Sequence, residues 1–312
     1  MFSLATLTLN PTVDMVCEVD RVVDTHKMRA GGEYYNPGGG GINASRVFVR
    51  LGGNARSIYT SGGPIGVALD GLVDLHQLVK TRIPIRGNTR AAHSVLERST
   101  GREYRFVPAG PELVESEWQA ALDAVREVEC DYLLASGSLP GGVPDDFYAR
   151  CAAIAAESGK RFVLDTSGRA LRGSLGGGPI NLLKPSLSEF CQLVGREVET
   201  PEEIAGHAVQ QVCQHDIAML AVTMGHRGAI LARDSGALYL PALPIKARSA
   251  VGAGDSFTAA MVYRLCAGDE PEAAFRFAVA AGSAAVCNPG TQLSQPDDIA
   301  RLLPQVMEPR PL

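Results

Sequence analysis

The run Val251-Gly-Ala-Gly-Asp-Ser256 sets two glycines and a carboxylate directly ahead of the helix-like apolar stretch 257–265. Glycines there let the backbone close around a ligand with its amides outward, and the helix dipole adds positive potential. The product is an anion hole. A carboxylate in a first helical turn ordinarily just caps the helix. Beside a phosphate cradle, Asp255 can also accept the proton of an attacking hydroxyl, while the amides of Gly252, Ala253 and Gly254 stabilise a transferring phosphoryl group. That is the chemistry of a kinase.

A second glycine cluster, Pro37-Gly-Gly-Gly-Gly-Ile-Asn43, leads into a helical stretch. Four successive glycines can be a flexible surface hinge. Gly39, Gly41 and Ala44 also fit the relaxed dinucleotide fingerprint G-x-G-x-x-A, which expects an acidic residue about 20 positions later for a ribose hydroxyl. Between Ala44 and Asp70 there is no Asp or Glu, and no G-x-x-x-x-G-K-[ST] occurs anywhere, so neither a dehydrogenase nor a P-loop enzyme is indicated.

These residues must be held by a frame, and the frame is legible. Short apolar runs at 2–9, 55–59, 132–135, 162–164, 181–183 and 219–223 alternate with amphipathic segments at 42–51, 66–75, 116–127, 145–158, 201–213, 255–266 and 271–287. This rhythm predicts an α/β fold with a mainly parallel central sheet between helices. Two regions break it. Residues 15–35 and 86–107 read as strands of mixed polarity with no helix between them, which suits a small β-sheet lid. No repeat or linker divides residues 1–312, which are read as one domain, and 309–312 reads as a frayed tail.

The chain has 312 residues, 46% of them hydrophobic and 20% charged, with a formal net charge of -5, so neither nucleic acid nor a membrane surface is expected as partner. Its seven cysteines are scattered and never form C-x-x-C, which argues against a disulfide framework or a zinc site and places the chain in a reducing cytoplasm. Residues 1–9 lack a basic leader and reach Asn10-Pro11 too soon for a signal peptide or a membrane span. The six histidines lack metal-ligand spacing, and Trp118 sits in an amphipathic segment suited to packing.

Taken together, the chain resembles the PfkB carbohydrate kinases, which have the ribokinase-like fold, a three-layer sandwich with a β lid. Residues 37–43 are similar to that family's N-terminal signature and 249–256 to its C-terminal one; Asn10-Pro-Thr-Val-Asp14, Ser136-Gly-Ser-Leu-Pro140, Asp165-Thr-Ser-Gly168, Leu183-Lys-Pro185 and Ala280-Ala-Gly-Ser-Ala284 follow in the family's order. The lid segments would be about 12–36 and 86–107.

The resemblance implies ATP-dependent phosphorylation with Mg²⁺, and within the family the chain is most similar to the branch that phosphorylates fructose 6-phosphate at C1. Branches acting on fructose 1-phosphate or tagatose 6-phosphate usually carry a lysine at the position of Gly40. Both remain alternatives, and a non-catalytic sugar-phosphate sensor on the same fold is a more distant one. By resemblance, Asp255 is the base; Asp14, Gly39, Gly40, Asn43 and Ser138 face the sugar; and Lys27, Arg29, Arg90 and Arg105 grip its phosphate, as basic forks and point charges can. Taken alone, each of these basic residues would be a solvated surface charge.

Lys184, Ser186, Glu189, Thr223, Gly225, Gly228, Val279, Ala280 and Ser283 match nucleotide-binding positions, Glu189 holding Mg²⁺ through water. Ser186 stands where the family's N-x-x-E motif has asparagine. Ser249, Val251, Asn288 and Gly290 match a monovalent cation site, taken as K⁺. Exposed lid strands suit edge-to-edge pairing into a homodimer.

Overall fold

The structure, a computed structural model, describes residues 2–288 and 290–312. Ten strands form the main sheet: β1 (Phe2–Thr8), β4 (Ala55–Ser61), β5 (Val79–Pro84), β8 (Cys130–Ser136), β9 (Arg161–Asp165), β10 (Leu182–Leu183), β11 (Leu220–Thr223), β12 (Ala229–Arg233), β13 (Gly236–Leu240) and β14 (Arg310–Pro311). Their spatial order is β14-β13-β12-β11-β10-β9-β8-β1-β4-β5. Pairing is parallel from β5 through to β11 and antiparallel from there to β14.

Alternation along the strands explains why the sheet is covered on both faces. In β8, Leu133 and Ala135 join one apolar cluster while Tyr132 and Leu134 join the other; Phe162 and Leu164 against Val163 in β9 do the same. The first cluster is closed by α3 (Glu115–Glu127), α4 (Phe147–Glu157), α5 (Gly168–Ser174), α6 (Leu187–Val194) and α7 (Pro201–Gln214). The second is closed by α1 (Gly40–Arg50), α8 (Ala253–Cys266), α9 (Pro271–Val286) and α10 (Pro296–Leu302). The result is the expected three-layer α/β sandwich.

The two irregular regions form one separate sheet in the order β3-β2-β6-β7, with β2 (Thr12–Val19), β3 (Gly31–Gly38), β6 (Arg90–Glu97) and β7 (Arg102–Phe106). β2 pairs antiparallel with β3 and parallel with β6. A third apolar cluster, Val13, Ile42, Tyr59, Leu69, Val73 and Leu78, joins this lid to α1, β4 and α2 (Gly63–Leu75). β2 leaves the main sheet three residues after β1, so the base of the lid is anchored beside the strand ends.

Three sequence expectations change. The 309–312 segment is not a frayed tail: β14 pairs with β13, Leu312 N–H donates to Ala237 O at 3.0 Å, and the Arg310 guanidinium stacks 4.8 Å from the Tyr239 ring centroid. Both residues of this strand are exposed and neither is apolar-aliphatic, so no buried run marks it in sequence. Strands β5, β12 and β13 and helices α5, α6 and α10 are additional to the elements expected from sequence. The glycine cluster at 38–41 is no hinge, because α1 starts at Gly40 with Gly39 as its N-cap. Among the described residues, no helix is long and apolar enough to cross a membrane.

Candidate active site at the carboxyl ends of the strands

β8, β9 and β11 end at Ser136, Asp165 and Thr223, and Lys184 follows β10 directly. Against these ends stand the N-termini of α1 and α8, the place where open α/β sheets bind ligands. A Cβ on Gly40 would lie 2.0 Å from Ser136 Oγ and 3.0 Å from Asp255 Oδ1, so only glycine lets the start of α1 come this close. Gly252 caps α8 in the left-handed conformation, φ 73°, with no space for a side chain beside Leu293. The Ala253 N–H reaches Ala250 O over a long 3.4 Å and is only weakly engaged, whereas Ser256 N–H already donates to Gly252 O at 2.9 Å.

Opposed charges converge under that turn. Lys184, buried, lies 3.1 Å from Asp165 Oδ1, and a Cβ on Gly254 would be 3.3 Å from Lys184 Nζ. Burial works against the Lys184 ammonium, but the carboxylates of Asp165, Glu189 and Asp255 outweigh it and hold its pKa above the ordinary lysine value. Asp255 lies in the first turn of α8 and accepts a hydrogen bond from Asn43 Nδ2 at 2.9 Å. Desolvation, aided by the nearby Asp165, pushes its carboxyl up to about 7 against the pull of Asn43 and Lys184. A carboxylate poised near neutrality is suited to accept a proton.

On the lid side, Asp14 in β2 is buried, and a Cβ on Gly38 would sit 2.3 Å from its Oδ2. Desolvation raises its carboxyl to about 6, while Arg105, Arg46 and Arg90 pull the other way. Asp14, Asn43 and Asp255 thus form one polar floor, with Gly39 and Gly40 between them. Arg90 donates to Asn10 O at 2.8 Å and Pro108 O at 2.9 Å, so part of its fork fastens two loops together. Arg105 is exposed on β7, opposite Ser94. Ser138 accepts from Asn10 Nδ2 at 3.2 Å on the same rim. Lys27 and Arg29 lie apart on the exposed loop between β2 and β3.

On the other side, Ser186 and Glu189 form a capping box for α6: Ser186 N–H donates to Glu189 Oε2 at 2.7 Å, and Glu189 N–H to Ser186 Oγ at 3.4 Å. The departure from asparagine is thereby explained, since serine and asparagine are comparable N-caps. Thr223 N–H donates to Pro185 O at 3.0 Å, tying β11 to this segment. Gly225 and Gly228 shape the short turn that follows. On α9, Ser283 is half-buried and Val279 nearly buried, whereas Ala280 is fully buried between α8 and α9.

Ser249 and Val251 precede α8, and Asn288 and Gly290 follow α9; Ser249 N–H reaches Val286 O at 3.4 Å, which joins the two segments. Among the described residues, no group of three or more His, Cys, Asp or Glu could cage a metal ion. Two polar residues of the site carry no assigned role in the sequence reading, although Asp165 heads one of its quoted runs. Asp165 ion-pairs with Lys184, and Arg46 is buried beside Asn43. A signal for Arg46 existed, because it falls among apolar residues on the inner face of α1, three positions after Asn43.

The fold and the glycine-rich helix starts at the strand ends define a kinase of the ribokinase-like class. Residues 7–298 match the family described as pfkB family carbohydrate kinase, and the chain belongs to it. It is 37% identical over 308 residues to an ATP-dependent 6-phosphofructokinase isozyme 2 of Mycobacterium tuberculosis, covering 98% of this chain and 90% of that one. Its fold superimposes on phosphofructokinase-2 from Escherichia coli in complex with potassium with a TM-score of 0.93 at 34% identity, covering 98% and 99% of the two chains. The same enzyme in complex with fructose-6-phosphate gives 0.91 at 32% identity, with the same coverage.

Proposed function

We propose that this protein transfers the terminal phosphoryl group of ATP to the C1 hydroxyl of fructose 6-phosphate, yielding fructose 1,6-bisphosphate. The observation that carries the reading is the meeting of Asp255 and Lys184 at the N-terminus of α8. Asp255 takes the hydroxyl proton as the sugar oxygen bonds to phosphorus and the bond to the ADP oxygen breaks. The amides of Gly252, Ala253 and Gly254 and the Lys184 ammonium face the charge that develops. Desolvation raises the Asp255 pKa and leaves the carboxyl poised to take that proton near neutrality.

Asp14 and Asn43 orient the sugar hydroxyls, one accepting and one offering both polarities. Arg90 and Arg105 flank Asp14 and take the existing phosphate, with Ser138 on the rim and Lys27 and Arg29 on the adjoining loop. Gly40 favours this sugar over those of lysine-bearing branches, because a side chain there would collide with Ser136. Similarity to a relative complexed with fructose-6-phosphate supports the same choice.

Thr223, Gly225, Gly228, Val279 and Ser283 border the nucleotide. Glu189 fits Mg²⁺ held through water: one of its oxygens accepts the Ser186 N–H and the other is left for the ion's hydration shell. Mg²⁺ neutralises phosphate charge when bound. The backbone carbonyls of Ser249, Val251, Asn288 and Gly290 are the donor type K⁺ prefers, and a potassium complex of a relative supports the assignment.

Val23, Met28, Tyr35, Phe106 and Val107 are exposed apolar residues on the lid, which supports a homodimer through this sheet. All seven cysteines are free, which supports a cytoplasmic enzyme. A coupled ADP-release assay over fructose 6-phosphate, tagatose 6-phosphate, fructose 1-phosphate and fructose tests the reading. Fructose 6-phosphate should give the highest kcat/KM, and a higher value for any other sugar overturns it.

A further inference from the structure

Arg46 lies inside α1, buried, and its guanidinium is divided among three acceptors. Nη1 donates to Asn43 Oδ1 and to Pro37 O, each at 3.2 Å, and Nη2 donates to Asn36 Oδ1 at 3.1 Å. Asn36 in turn donates from Nδ2 to Thr291 Oγ1 at 2.9 Å. One side chain thus joins α1, lid strand β3 and the loop before α10.

The polarity of this chain of bonds is forced. A guanidinium can only donate and an ionised carboxylate can only accept, so the Asn43 amide between Arg46 and Asp255 has one allowed orientation, Oδ1 to arginine and Nδ2 to aspartate. Without the guanidinium, either amide face could turn to Asp255, and an oxygen facing an oxygen would repel the ionised form. We infer that Arg46 is a positioning residue that locks the Asn43 amide, and through it the Asp255 carboxylate, to the lid strand that carries the sugar site. The inference rests on the reading of Asp255 as the base.

Charges around the pair are consistent with this role. Asp255 faces Asn43 from α1, Asp14 from β2, Asp165 from β9 and Lys184 after β10. Arg46 faces Asp14 and Asp255 as counter-charges, with Arg50 one turn along α1 and His76 at the end of α2. Burial, then Arg50, lowers the Arg46 pKa to about 10, so it stays cationic throughout the working range, and among the described residues no carboxylate forms an ion pair with it. Its Nε is buried without a partner. The side chain is therefore held by the lid strand and by Asn43, not by an ion-pair partner of its own.

The test compares Arg46→Gln and Arg46→Lys with wild type and with Asp255→Asn, using ATP and fructose 6-phosphate from pH 5.5 to 9, with thermal melts of every variant. Because all share one substrate pair, shifts between their profiles belong to the enzyme. For Arg46→Gln, the acid limb of kcat/KM should move up by about one pH unit. Its kcat should fall by about 10- to 100-fold, and KM should rise for the sugar but not for ATP. Arg46→Lys keeps the charge without the fork, so its limb should stay nearer wild type while kcat still falls.

A folded Arg46→Gln with an unmoved limb and kcat within twofold of wild type overturns the inference, as does loss of folding in both variants, which makes Arg46 a core residue only. Failure of the underlying reading looks different: Asp255→Asn then keeps its kcat, whatever the Arg46 variants do.

Discussion

Asn43 and Asp255, 212 positions apart, meet in a single 2.9 Å hydrogen bond from amide nitrogen to carboxylate oxygen. The bond joins the first turns of α1 and α8, the two helices whose glycine-rich starts carry the sequence signatures. It also places the candidate base beside the residue proposed to orient the sugar. Its consequences can be measured.

The raised carboxyl of Asp255 fixes the pH dependence. The base must be ionised to act, so kcat/KM should rise through about pH 7 and fall about tenfold for each unit below it. This lies above the second ionisation of a sugar phosphate, near pH ~6. A limb at or below pH 6 would show that a different group controls the rate.

The same shift affects stability with the opposite sign to the usual carboxylate. The Asp255 carboxyl has an ordinary value of 3.8 and a folded value of about 7, so its favourable contribution is present below 3.8 and is lost as pH rises through 7. Asp255→Asn should therefore melt higher than wild type at pH 8, with the difference vanishing near pH 4. Equal melting temperatures at pH 8 would contradict the burial of this charge.

Gly40→Ala tests the close approach of α1. The added Cβ would meet Ser136 Oγ at 2.0 Å, beside Asp255 Oδ1, so the start of α1 must shift away. A displacement of about 1 Å should lower kcat by about 10²-fold with little change in far-ultraviolet circular dichroism. Activity near wild type would mean the site tolerates a side chain there, and Gly40 would lose its weight in the choice of sugar.

How much of this was legible in sequence depended on whether a feature leaves a local pattern. The glycine runs before α1 and α8 did, as did the strand alternation that builds both cores and the mixed polarity of the lid strands. Asp165 sits in a legible run and Arg46 on an apolar helix face, but their partners were not legible, since an ion pair to Lys184 and a fork shared between helix and lid exist only after distant segments pack. Ser186, standing where the family's motif has asparagine, forms a capping box with Glu189 that a motif comparison alone does not show. The chain end looked frayed because the two residues pairing with β13 are exposed and form no buried run.

Glu189→Gln separates capping from metal chemistry. Its amide oxygen can still accept the Ser186 N–H, so the melting temperature should hold, while loss of the charge should raise the Mg²⁺ concentration for half-maximal rate several-fold. Ser186→Asn, which keeps the cap, should leave that concentration unchanged. A Mg²⁺ titration of initial rate at fixed ATP decides it, and an unchanged Glu189→Gln would confine this residue to the helix start.

Arg105→Ala reads the sugar phosphate site more cleanly than a change at Arg90, whose fork also fastens the Asn10 and Pro108 loops. A lost charge-assisted bond of about 1.5 to 3 kcal/mol corresponds to a rise of about 10- to 100-fold in KM for fructose 6-phosphate. KM for ATP should stay put. Parallel rises in both would place Arg105 outside the sugar site.

The most direct measurement is kcat for Asp255→Asn with fructose 6-phosphate and ATP, alongside calorimetric binding of the sugar to the same protein. With Asp255 as the base at the N-terminus of α8, kcat should fall by about 10² to 10⁴ while sugar affinity stays within a few-fold of wild type. Near-normal kcat with intact binding would contradict the account, and the proton of the C1 hydroxyl would have to leave by another route.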